Sequence, residues 1–120
     1  MLSWTLCRLP SIYAWQDAFV VTELAVLDVL PGREDEFEVA FEKAARLISS
    51  MAGFKSLDLQ RCLENSARYV LLVVWERLED HTDGFRGSPE YEEWRRLLHH
   101  FYEPFPTVEH FRLVTRIEQT

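Results

Sequence analysis

The chain has 120 residues, 48% hydrophobic and 28% charged, which fits a single globular domain with a sizeable core. Its net charge is −7 and no basic stripe runs along it, so no nucleic-acid partner is expected: backbone binding depends on neutralising phosphates. Two cysteines, Cys7 and Cys62, are too few for a disulfide framework and form no CxxC pair, so two reduced thiols in a cytoplasmic protein are expected. No apolar run approaches the ~20 residues of a membrane span. The opening MLSWTLCRLP lacks a charged region followed by a continuous apolar one, so neither a secretory leader nor a membrane partner is expected.

Residues 1–18 carry Trp4, Leu6, Leu9, Ile12, Tyr13 and Trp15 at no sustained period, with Pro10 interrupting. They read as an extension ahead of a domain spanning 19–120, either loosely attached or an arm that packs its tryptophans on a partner. Residues 19–30, FVVTELAVLDVL, predict a first strand ending at the Pro31-Gly32 turn signal. Val21, Ala25, Leu27 and Val29 make one face and Val20, Leu24 and Val26 the other, so both faces call for cover; Glu23 is the polar exception. It reads either as a cavity base or, by preference, as a cross-sheet partner of Arg61 or Arg112.

Residues 33–51 predict a helix with Phe37, Phe41, Ala44 and Ile48 on one stripe and Glu34, Asp35 and Glu36 at the positive end of its dipole. This acidic run reads as dipole chemistry and solvation. Gly53 is the stop. Residues 54–62 alternate as a half-exposed strand, and residues 68–75, RYVLLVVW, make a third strand apolar on both faces. Arg77–Asp83 is expected to form a short helical or turn segment that breaks at Gly84. Ser88-Pro89 then starts a helix carrying Tyr91, Trp94, Leu98 and Phe101, ended by Pro104 and Pro106. Residues 107–117 alternate as a fourth strand.

Strand, helix, strand, strand, helices, strand is the order of a ferredoxin-like α+β fold: a four-stranded antiparallel sheet with helices on one face. The helices cover one face only. Because the first and third strands are apolar on both, a second copy packed sheet to sheet, a homodimer, is expected.

This element order resembles the antibiotic biosynthesis monooxygenase family of dimeric α+β barrels. The features that carry the resemblance are the Pro-Gly turn, the strand ending at Trp75-Glu76, and the segment HTDGFRGSPEYEEWRRLL; together they cover about residues 19–117. The resemblance implies a small oxygenase that needs no cofactor and acts on a phenol or quinone precursor. The alternative is a non-catalytic small-molecule-binding or stress-related protein of the same fold. A haem-degrading branch of the family uses an Asn, a Trp and a His at positions that fall near Ala25, Gly84 and Trp94, and none matches here.

Cofactor-free oxygen chemistry needs a base, an apolar pocket and a group that stabilises developing negative charge. His81 is the expected base, because histidine titrates near neutral pH, although a histidine in a short helix also serves as a cap. Arg95, or else Arg86, is the expected anion stabiliser, with an ion pair to Glu92 or Glu109 as the plainer role for Arg95. Trp75, Phe85, Tyr91, Trp94, Phe37 and Phe41 are the expected pocket walls; at helical spacing, Tyr91 and Trp94 serve equally as core. His99 and His100 are adjacent and cannot share a metal across a helical turn, so no metal site is expected. His110 reads as a satisfied core histidine.

Overall fold

The computed structural model describes residues 20–119, and the expected extension over residues 1–18 lies outside them. Strand β1 (Val21–Asp28) is followed by helix α1 (Glu34–Ser49), strands β2 (Phe54–Arg61) and β3 (Arg68–Trp75), a π-helical turn (Asp80–Phe85), helix α2 (Pro89–Leu98) and strand β4 (Val108–Phe111). The strands form one antiparallel sheet in the order β2-β3-β1-β4, the ferredoxin-like arrangement expected from the sequence.

Alternation decides what each strand presents. On β1, Val21, Glu23, Ala25 and Leu27 are buried beneath the helices, while Thr22, Leu24 and Val26 face the open side. On β3, Tyr69, Leu71, Val73 and Trp75 are buried and Val70, Leu72 and Val74 are half-covered. Register ties the two strands together, with Val21 opposite Trp75 and Ala25 opposite Leu71.

Both helices have the local chemistry their sequences suggest. Gly32, at φ +89°, makes the turn into α1, whose first turn carries three acids. Its buried stripe of Phe37, Phe41, Ala44 and Ile48 meets the sheet, and Gly53, at φ +83°, follows its end. Helix α2 is capped by Ser88, whose hydroxyl accepts the Tyr91 N–H at 3.1 Å, with Pro89 in the first helical turn. Burial of Phe37, Ile48, Tyr69, Trp75 and Leu98 stabilises the fold by about 1.5–3 kcal/mol per side chain. Exposed pairs such as Arg33–Glu36 contribute ~0–1 kcal/mol and are secondary.

Three elements differ from expectation. Helix α2 ends at Leu98, so Phe101 lies beyond it and Pro104 and Pro106 do not terminate it. The segment after β3 does not break at Gly84; it winds on as a wide turn through Phe85, with the Arg86 N–H donating to the His81 carbonyl at 3.1 Å. The wide winding buries His81 and Phe85 together. Its start is held by Asp80, which accepts the Arg77 N–H and lies so close to Gly53 that any Cβ there would overlap its carboxylate. The fourth strand is also shorter than residues 107–117. Pairing stops at Phe111 opposite Thr22, because β1 begins one residue earlier and offers little more edge.

Candidate functional site

The buried row of β1 forms the floor of a cavity of about 350 Å³ between the sheet and the segment from the π-helical turn to β4. Ala25, the smallest residue of that row, lies between Glu23 and Leu27 and opposite Leu71 and Val108, and its short side chain leaves the room. Phe85, Tyr91 and Trp94 supply aromatic walls: the Phe85 ring stands edge-on to Tyr91 at 5.2 Å and to Trp94 at 5.6 Å. His99, Tyr102 and Phe105 complete the lining, with the exposed Phe105 ring edge-on to His99 at 4.9 Å.

One end of the cavity is polar. Glu23 is buried, and its Oε1 accepts the indole N–H of Trp75 at 3.0 Å. The same oxygen lies 3.3 Å from Nε2 of His81, an ion-pair distance just beyond a normal hydrogen bond. His81 is also buried, stacks on Trp75 with the rings 18° apart, and meets Nε2 of the half-buried His110 through its Nδ1 at 2.8 Å. Three elements converge here: Glu23 from β1, His110 directly opposite it on β4, and His81 from the π-helical turn.

Burial sets the protonation of this group. Desolvation raises the Glu23 carboxyl above its usual range, against the lowering effects of the Trp75 hydrogen bond and the Arg86 charge. Desolvation, Arg86 and His110 together hold His81 down to about 3, so its imidazole is neutral at pH 7. Burial and Arg86 lower His110, and burial and Arg95 lower His99. Burial raises the Tyr102 phenol. A neutral, buried imidazole beside a carboxyl of raised pKa favours passing protons over holding charge.

Of the residues singled out from the sequence, His81, Phe85, Tyr91 and Trp94 line this cavity together. Trp75 sits behind it as the donor to Glu23, and Phe37 and Phe41 are part of the core. Arg95 lies outside the lining, exposed and 3.6 Å from Glu92; the cation on the lining is Arg86. The preferred cross-sheet pairing of Glu23 with Arg61 or Arg112 is corrected: Glu23 points under the helices, while Arg61 reaches Glu38 and Tyr69. Strand parity signals this placement, since Glu23 shares its face with Val21, Ala25 and Leu27. The pairing of His110 with His81 carried no local sequence signal. Among the described residues, no group of three or more His, Cys, Asp or Glu side chains is placed to hold a metal ion. No helix among them is long and apolar enough to cross a membrane.

A ferredoxin-like sheet with an aromatic cavity under its helices defines a class of small α+β proteins. Within that class, the family model for antibiotic biosynthesis monooxygenases matches residues 20–97, and this chain belongs to that family. It is 57% identical over 93 residues to the uncharacterized protein YczJ of Bacillus subtilis, covering 78% of this chain and 98% of YczJ. A candidate antibiotic biosynthesis monooxygenase from Bordetella bronchiseptica superposes with a TM-score of 0.77 at 34% identity, over 81% of this chain and 99% of that one. SnoaB of Streptomyces nogalater, a cofactor-independent oxygenase, shares the fold with a TM-score of 0.67 at 24% identity, over 84% of this chain and 97% of SnoaB.

Proposed function

We propose that this chain is a cofactor-independent monooxygenase acting on a small aromatic phenol or quinone precursor. The observation that carries the reading is the buried Glu23–His81 pair at one end of an aromatic-walled cavity. His81 alone, held at about 3, is a weak proton acceptor at neutral pH, whereas Glu23 with its raised carboxyl is a better one. The pair therefore serves as the base. It removes a phenolic or carbon-bound proton and leaves an electron-rich anion stacked among Phe85, Tyr91 and Trp94. The anion passes one electron to dioxygen, the two radicals combine into a C–O bond, and the protonated peroxide loses water to leave one oxygen atom in the product. Arg86 supplies the positive charge that favours the anion. At about 350 Å³ the cavity is near the small end of ligand pockets, which favours a compact ring system.

Assembly belongs to the same reading. The open sheet face presents Leu24, Val26, Val70, Leu72 and Val74, and Val26 and Phe111 are 42% and 48% exposed in the single chain. A second copy packed sheet to sheet covers this surface without blocking the cavity, which lies beneath the opposite face.

Oxygen uptake with a panel of hydroquinones and anthrone-type phenols tests the activity. Uptake by the wild type that collapses in Glu23→Gln and His81→Ala is the expected result. Absence of uptake with every compound, alongside measurable binding, points instead to a small-molecule-binding protein.

A further inference from the structure

Three side chains at the polar end of the cavity touch in sequence, and only the first two belong to its lining. We infer that Glu23, His81 and His110 form one proton conduit, in which Glu23 holds the proton taken in the cavity and the two histidines carry it out to the edge strand β4. The inference rests on the base role proposed above for the Glu23–His81 pair and extends it to His110, which acts only through His81.

Donor and acceptor bookkeeping leads there. The Trp75 indole can only donate, so Glu23 Oε1 accepts from it. With Glu23 ionised and His81 neutral, Nε2 of His81 carries the proton facing the carboxylate, and its Nδ1 is bare. The 2.8 Å contact at Nδ1 then requires a proton on Nε2 of His110. Before substrate enters, the chain resets: His81 passes its Nε2 proton to Glu23, His110 passes its own to His81 Nδ1, water protonates His110 Nδ1, and Glu23 releases its proton to water in the open cavity. Glu23 then takes the substrate's proton and donates to His81 Nε2, His81 Nδ1–H donates to His110 Nε2, and His110 carries its proton on Nδ1. Discharge returns the first arrangement. Glu23 gives its proton to His81 Nε2, His81 gives the one on Nδ1 to His110 Nε2, and His110 releases the one on Nδ1. One proton leaves for each one taken up, and no imidazolium need persist in the buried site.

The surroundings favour this concerted form. Arg86, whose charge acts on all three groups, opposes a positive His81 or His110. The other titratable groups on the cavity are Tyr91 from α2 and His99 and Tyr102 from the segment after it. Among the described residues, none of these three makes a hydrogen bond or ion pair to Glu23, His81 or His110. The sheet register fixes the ends of the path, because Glu23 and His110 are paired across the β1–β4 ladder. A substrate filling the cavity would close the direct route from Glu23 to water there, whereas half-buried His110 offers a second one.

Nitrogen-15 NMR of the histidine rings in the intact wild-type chain, followed over pH, tests the conduit without any substrate. The expected result is that His81 and His110 exchange tautomers together, at one midpoint, with His81 staying neutral. Separate midpoints, a fixed His81 tautomer or a His81 imidazolium at that midpoint would overturn it. The functional arm is His110→Phe: steady-state oxygen uptake falls about 100-fold and is restored by added imidazole. An unchanged rate, or a loss that imidazole does not restore, removes the exit role. If the wild type shows no uptake at all, the oxygenase reading fails while the NMR result still decides the conduit.

Discussion

The Trp75 indole N–H donates to Glu23 at 3.0 Å across the β1–β3 ladder, and both groups are buried. This bond favours the carboxylate form and works against the desolvation that raises Glu23. Trp75→Phe keeps an aromatic ring against His81 and removes the donor. The expected loss is about 1–3 kcal/mol at pH 7, and less near pH 5, where more of Glu23 is protonated and needs the donor less. Urea unfolding at the two pH values checks this; an equal loss at both would assign the effect to packing alone.

His81 links stability to acid. Its folded value of about 3 lies below the ordinary 6.5, so between those limits the unfolded chain binds a proton that the folded chain does not. Stability is therefore complete above pH 6.5 and falls as the pH drops towards 3, with a slope from this group of up to about 1.4 kcal/mol per pH unit. Glu23 acts in the opposite sense, because its raised carboxyl binds a proton in the folded chain first and offsets part of the loss. Replacing His81 by Phe is expected to flatten the stability profile between pH 6.5 and 4.5. An unchanged slope in denaturant titrations would show that other groups control acid unfolding.

The two arginines on the helical side separate cleanly. Arg86 lines the cavity and Arg95 does not. With a turned-over phenol, Arg86→Gln is expected to lower kcat/KM by on the order of 100-fold, the usual scale for losing a group that meets developing negative charge. Arg95→Gln stays within a few-fold. An oxygen electrode measures both, and the reverse ranking would return the anion-stabilising role to Arg95.

On the open face, Leu72 lies opposite Leu24 on one side and Asp58 on the other, near the middle of the sheet. If a second copy covers this face, Leu72→Asp places an unpaired charge in the interface and weakens association by on the order of 100-fold. Sedimentation equilibrium reads the change. A wild type that is already monomeric at micromolar concentration would remove the sheet-to-sheet dimer.

Much of the fold was legible because its signals are local. The Pro-Gly turn, the stripe of Phe37, Phe41, Ala44 and Ile48, the unbroken apolar run of β3 and the Ser88-Pro89 cap each fix an element within a few residues. The end of β4 was not legible, since it depends on where β1 begins on the neighbouring strand. The site was half legible. His81, Phe85, Tyr91 and Trp94 lie close in sequence and converge, whereas Glu23 faces inward against the cross-sheet pairing preferred from the sequence. The Glu23–Trp75 and His81–His110 bonds join residues 52 and 29 positions apart, so only the sheet register and the wide turn bring them together. The tie between Arg95 and Glu92, one helical turn apart, was among the roles the sequence allowed.

Strand β1 carries the cavity chemistry on its odd-numbered residues and the open apolar face on its even-numbered ones. Its reading frame is therefore shared by two tasks. Deleting or inserting one residue ahead of Glu23 would turn the carboxylate out onto the exposed sheet and turn Leu24 inward, into the Glu23 position on deletion and the Ala25 position on insertion. Substitutions can tune either task by itself, but a change of length here alters both at once. In relatives of this chain, insertions and deletions should accordingly gather in the loops, while the eight residues of β1 keep their count.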